Sequence, residues 1–230
     1  MQHLIIPGSP PIEVILRPSA RARRISLRVS RLDGRVTLTL PKGAHKAEAV
    51  AFAHEKANWV RKQLAQHPDQ VVVGVGVDLP FEGRALQLVA GTGRRVRVEG
   101  GTLVVPGAED RMAARAQVFL KEMARDRLAA ASDRYAARVG RPYTRLTMRD
   151  TRSRWGSCSS AGALMYSWRL IMAPAAVLEY VAAHEVAHLR EMNHSAAFWK
   201  TVEDIHGPYQ EQRNWLRENS AFLHRFRFGD

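Results

Sequence analysis

Five consecutive residues, His184-Glu185-Val186-Ala187-His188, combine two imidazoles and a carboxylate at a spacing suited to metal-assisted hydrolysis. On a helix, residues four apart lie about 40° apart around the axis, so both rings leave one face one turn apart. That separation lets two imidazole nitrogens reach one ion at about 2.0–2.1 Å. Glu185 projects about 100° further round, where a carboxylate can take a proton from an attacking water as general base. Two imidazoles leave zinc too open, and His194 is the third candidate ligand. On an unbroken helix it would lie about 240° round from His188 and face away. The helix must therefore stop first, and Asn193 supplies a residue able to take the left-handed conformation that closes one. Three imidazoles favour a single zinc ion, and the implied substrate is a peptide bond in a protein or peptide. A donor to the developing oxyanion is also required. Tyr166, His206 and Tyr209 are the candidates, and the residues do not choose among them.

These side chains need a scaffold. Pro174 suits a helical first turn, and the Ala-rich run to about Met192 reads as the metal helix. Before it, 144–149 reads as a strand, 150–162 as a polar loop and 163–172 as a second strand. The second strand has Leu164, Tyr166, Trp168 and Leu170 on one side and an edge that could pair with an extended substrate. Helices over about 195–205 and 208–219 come next, with Phe198, Trp199 and Trp215 packing them onto the metal helix. Nearer the N-terminus, 12–17, 23–30 and 35–40 alternate as strands, with a turn at Asp33-Gly34. A helix over 44–66 buries Val50, Ala53, Ala57, Val60 and Leu64 and ends at His67-Pro68-Asp69, before a Val/Gly stretch at 71–79. The texture recurs at Arg94–Val98 and Thr102–Pro106, before a helix over 109–139 that opens on Glu109-Asp110 and stops at Gly140. The recurrence reads as the common look of a hairpin followed by a helix. The expected class is α+β, with a basic β/α region over 1–80 and the catalytic domain over 81–230.

Composition sets the surroundings. The chain has 230 residues, 46% hydrophobic and 25% charged, which is ordinary globular usage. No apolar run approaches the 18 to 20 residues of a membrane span, the N-terminal segment lacks a leader pattern, and no membrane insertion is expected. One cysteine, Cys158, cannot form an internal disulfide, and the expected compartment is the cytoplasm. The net charge is +13, and residues 1–67 hold 12 basic against 4 acidic side chains. Such a field attracts nucleic acid, and it supports the alternative of a nucleic-acid-binding protein with a structural or vestigial zinc site. No zinc-finger, helix-turn-helix or RNA-binding signature accompanies the charge, and a structural zinc needs no Glu185 beside it. A hydrolase built on Ser157 or Cys158 lacks the closing glycine of a nucleophile elbow.

Arg154-Trp155-Gly156-Ser157-Cys158-Ser159, His184-Glu185-Val186-Ala187-His188-Leu189, Asn193-His194-Ser195 and Phe198-Trp199 together resemble the YgjP-like metallopeptidases. That family is related to the SprT and WLM groups of minimal zincin peptidases. The resemblance runs from about Arg21 to the C-terminal region. It implies a zincin-type domain with zinc on His184, His188 and His194 and the acid/base at Glu185. It also implies a DNA-linked variant of the activity, since some SprT and WLM relatives cut proteins crosslinked to DNA. Metzincin proteases share the histidine spacing, but their pattern has Gly where this chain has Glu191, and no Met-turn is present downstream. The resemblance directs attention to the 152–159 loop. There Arg152 is a candidate substrate contact, Trp155 is expected to plug the core, and Cys158 is expected to be a buried thiol.

Overall fold

A computed structural model describes residues 2–30, 34–65 and 69–229. The chain divides into two compact units, Met1–Gln70 with Ser220–Arg225, and Val71–Asn219 with Phe226–Asp230. No helix among the described residues is long and apolar enough to cross a membrane.

The first unit is a four-stranded sheet of β1 (Gln2–Ile6), β2 (Ile12–Ser19), β3 (Ser26–Val29) and β4 (Val36–Pro41), in the order β1-β2-β4-β3. Alternation decides its faces. Ile12, Val14 and Leu16 of β2 and Val36 and Leu38 of β4 are buried, while Glu13 and Arg17 point outward. β1, rich in Leu and Ile, is absent from the sequence expectation and closes the edge beside β2. The helix expected over 44–66 is two, α1 (Lys46–Glu55) and α2 (Ala57–Ala65). Lys56, at φ −89° and ψ 3°, separates them. Backbone bonds from Lys56 N–H to Phe52 and from Val60 N–H to Lys56 run across the junction, so it is a bend. Ala49, Ala53 and Val60 all reach the core. Asp33 of the expected turn and His67-Pro68 of the expected helix stop lie outside the described residues.

The second unit repeats that topology. β6 (Asp78–Phe81), β7 (Arg84–Gly91), β8 (Arg97–Glu99) and β9 (Thr102–Pro106) come after β5 (Val71–Val72) and form a sheet in the order β6-β7-β9-β8. In both sheets the two central strands are parallel and each outer pair is antiparallel. The textural echo is therefore an echo of strand order as well.

α3 (Glu109–Val139) is the spine of this unit. Met112, Ala116, Leu120, Ala124, Leu128, Ala131 and Tyr135 form one buried stripe at intervals of three and four. Gly140, at φ 72°, ends the helix in a left-handed cap, its N–H reaching the Ala136 and Ala137 carbonyls. A three-stranded sheet comes next, β10 (Arg145–Arg149), β11 (Gly156–Cys158) and β12 (Ala163–Ser167), ordered β10-β12-β11. The strand expected over 163–172 stops at Ser167 and continues as a 3₁₀ segment, Trp168–Met172. All five residues of that segment are buried, which an alternating strand with one wet face cannot achieve. α4 (Ala175–Ala187), α5 (Ala196–His206), α6 (Gln210–His224) and β13 (Phe226–Arg227), paired parallel to β5, complete the chain. α3 holds α4 and α5 in place: Arg134 pairs with Glu179, and Arg138 donates to the Ile205 carbonyl. The observed class is α+β.

Candidate active site

Every residue from Val177 to Ala187 except Glu179 and His184 is buried, so α4 runs through the core of its unit. The helix does not reach Met192. It ends at Ala187 with His188 as its C-cap, and short turns extend it as Leu189 N–H reaches Val186 O and Arg190 and Glu191 N–H reach Ala187 O. Asn193 does not take a positive φ, as Glu82 alone does among described non-glycine residues. The redirection is made earlier, and the His188 ring takes part in it, its Nδ1 lying 3.0 Å from the Glu191 carbonyl oxygen. That bond assigns the proton to Nδ1 and leaves Nε2 with its lone pair.

His184, His188 and His194 converge, with one ligand atom from each all within 4.8 Å of one another. The Nε2 atoms of His184 and His194 are 3.1 Å apart. Tetrahedral bonds of about 2.0–2.1 Å separate two ligand nitrogens by about 3.3 Å, so His184 and His194 already stand at the spacing one divalent cation requires. Burial, then the neighbouring His188 and His194, lowers the His184 pKa from 6.5 to about 3, and burial lowers that of His188. Neutral imidazole is the form that offers a lone pair to a metal.

Phe198 organises the three rings. It is fully buried and stacks on His188 at 4.4 Å, with His194 at 4.7 Å and His184 at 4.9 Å. Its place follows from helix capping, since Ser195 is the N-cap of α5 and its Oγ accepts from Phe198 N–H. The spacing of an N-cap and the third residue beyond it could have singled Phe198 out.

Glu185 is 6% exposed and lies against Gly156 of β11. A Cβ at Gly156 would stand 2.5 Å from Glu185 Cγ and 2.6 Å from Oε1, so only glycine leaves room for this carboxylate. Burial raises its pKa from 4.5 to about 8, and the positive charge of Arg154 pulls the other way.

A cleft of about 390 Å³ passes over these groups. Arg154 through Cys158 line one wall, and Tyr180, Val181, Met192 and Leu216 contribute elsewhere, beside the three histidines and Glu185. Trp155 is half-buried and lines this wall; the tryptophan that fills the core is Trp168, 1% exposed. β12 cannot offer an edge, because β10 and β11 flank it. The edge strand that lines the cleft is β11. Ser167 N–H bonds to Trp155 O and Ser159 N–H to Ala163 O, so 155, 157 and 159 are the positions that bond to β12. By antiparallel alternation the N–H and C=O of Gly156 and Cys158 turn to the open side. Three residues in a polar loop carry too short a pattern to read as a strand.

The remaining expected residues fall at different places. Tyr166 is fully buried with its hydroxyl 3.0 Å from Ser132 Oγ, and it is not among the cleft-lining residues. Tyr209 is packed between Tyr180 and Trp199. His206 lies across Tyr180, its ring 6.0 Å away, and stands outside the histidine cluster. Arg152 is exposed in the loop before Arg154. Cys158 is half-buried, also outside the cluster, and burial raises its thiol to about 11. Tyr180, missed in the sequence, lies one turn before His184 on the same helical face. Burial raises its hydroxyl to about 12.

No curated protein matches the sequence. The crystal structure of the metallopeptidase zymogen of Pyrococcus abyssi abylysin is similar at 21% identity and a TM-score of 0.30, over 42% of this chain and 92% of that one. Residues 23–219 match the family described as YgjP-like, metallopeptidase domain. With most of its length inside that match, the chain belongs to the YgjP-like metallopeptidases.

Proposed function

We propose that the chain is a zincin-type peptidase that binds one zinc ion on His184, His188 and His194 and hydrolyses peptide bonds with Glu185 as general base. The observation that carries this reading is the convergence of three imidazoles, within 4.8 Å, beside a buried carboxylate for which Gly156 leaves room. A zinc ion held there supplies Lewis-acid polarisation of the scissile carbonyl and acidifies a water. Glu185 takes the proton of the attacking water and returns it to the leaving nitrogen as the C–N bond breaks. Its burial favours the first of these transfers, because a raised pKa makes the carboxylate a stronger base toward the attacking water. The substrate lies extended along β11, accepting from and donating to the free backbone groups of Gly156 and Cys158. Glu185→Gln tests the assignment: zinc content stays at the parental level, while hydrolysis of a quenched-fluorescent peptide falls by about 10²–10⁴-fold. Parental rates in that variant would remove Glu185 from the mechanism.

A second activity, binding of nucleic acid by the first unit, is favoured by its charge placement. Arg17 and Arg28 lie on the outward face of the sheet with Ser26, Thr37 and Thr39, and Arg21, Arg23 and Arg24 occupy the connection between β2 and β3. All five arginines are exposed, and none has an ion-pair partner among the described residues. On the helical side, Lys56 pairs with Glu55 and Arg61 donates to Pro7 and Pro10. Duplex DNA binding measured by anisotropy should weaken as salt rises, and replacing the five arginines with glutamine should remove most of it. Unchanged affinity in that variant would reject this surface.

A further inference from the structure

Tyr180 is 5% exposed, yet its hydroxyl has no hydrogen-bond partner among the described residues and is not sealed from solvent. Buried tyrosines normally place that hydroxyl on a partner. Buried Tyr166 does so, its hydroxyl 3.0 Å from Ser132 Oγ, and the half-buried Tyr143 donates to Asp133 at 2.7 Å. Tyr180 instead lines the cleft, one turn from His184, with its ring held on several sides. Tyr209 stacks on it at 5.8 Å with 7° between planes, Trp199 stacks on Tyr209 at 5.2 Å, and the Arg213 guanidinium sits 4.6 Å from the Trp199 ring. His184 and His206 meet Tyr180 edge-on at 5.9 and 6.0 Å. Such a ring has little freedom to turn, and the residue lines the cleft beside His184 and Glu185. A fixed donor beside the reacting carbonyl needs no reorganisation when charge develops there, which is the requirement of oxyanion stabilisation.

Resting on the peptidase reading above, we propose that the Tyr180 hydroxyl donates a hydrogen bond to the scissile carbonyl oxygen as it gains negative charge, and that Tyr209 is the positioning residue behind it. Tyr180 is then a catalytic residue, and the Tyr209–Trp199–Arg213 stack keeps its ring in place. Donation strengthens as the carbonyl carbon becomes tetrahedral, so the interaction acts on kcat more than on KM.

The test uses the full zinc-loaded chain, a quenched-fluorescent peptide and a phosphinic peptide that copies the tetrahedral oxyanion. Tyr180→Phe should lower kcat by about 10²–10³-fold with little change in KM. Phosphinic-peptide affinity, read by calorimetry, should fall by a similar factor. The melting temperature should stay at the parental value, since no internal hydrogen bond is lost. Tyr209→Leu should lower kcat by about tenfold, and Tyr209→Phe, which keeps the stacked ring, should restore it. A Tyr180→Phe enzyme with parental kcat and parental phosphinic-peptide affinity overturns the proposal. So does one whose melting temperature drops along with its activity, because the hydroxyl then has a structural role. A parent that hydrolyses nothing sinks the peptidase reading itself, whereas an active parent with an equally active Tyr180→Phe sinks only this inference.

Discussion

Two sheets in this chain share one plan and lead to different ends. β1-β2-β4-β3 and β6-β7-β9-β8 have the same strand order and the same pattern of parallel and antiparallel pairs. After the first come two short helices and no metal-ligand cluster among the described residues. After the second comes the 31-residue α3, whose buried stripe supports α4 and the three histidines. The sheet plan is therefore a generic support. The chemistry depends on the helices that succeed the sheet.

The sharpest way to break this contrast is to open a cavity in each region. Leu38 in β4 and Leu128 in α3 are both fully buried, and Leu→Ala at either should cost about 2–5 kcal/mol in thermal or denaturant unfolding. Only Leu128→Ala should also weaken zinc binding. Equal losses of zinc affinity in the two variants would contradict the division of labour. Next in size is Gly156→Ala, whose Cβ would collide with Glu185; overpacking costs about 1–3 kcal/mol, and hydrolysis should fall about tenfold or more. A fully active Gly156→Ala enzyme would show that the carboxylate moves freely. Tyr166→Phe leaves Ser132 without its partner and should cost about 1–2 kcal/mol with the peptidase rate kept. A large rate loss there would return Tyr166 to the candidate oxyanion donors.

The pH dependence of the chelated protein sets two groups of the site against each other. The His184 pKa is lowered from 6.5 to about 3, so its share of stability is complete above 6.5 and lost as pH falls toward 3. The Glu185 pKa is raised from 4.5 to about 8, so its share is complete below 4.5 and lost as pH rises toward 8. The two slopes oppose each other between 4.5 and 6.5, which predicts a stability plateau there and a decline on either side. A melting temperature that climbs steadily to pH 8 would contradict the burial of one of the two groups.

Much of this is legible in the residues themselves. α3 announces its ends through Glu109-Asp110 and Gly140, because dipole and cap preferences act locally. The spacing of His184, His188 and His194 requires a bend between the last two, and the fold has one. The position of that bend is not legible at Asn193, since a ring-to-carbonyl bond from His188 to Glu191 closes the helix earlier. β11 is hidden for a related reason: three residues become a strand only through their partner β12. Phe198 and Tyr180 read as ordinary core aromatics until the rings around them are known.

The most direct measurement is elemental analysis of the full chain purified without chelators, beside the single variants His184→Ala, His188→Ala and His194→Ala. The account predicts one zinc per parent chain and its loss on dialysis from each variant, most completely from His188→Ala, whose ring is held by both Phe198 and the Glu191 carbonyl. A folded parent that takes up no zinc, or a His194→Ala variant that holds it as tightly as the parent, would contradict it.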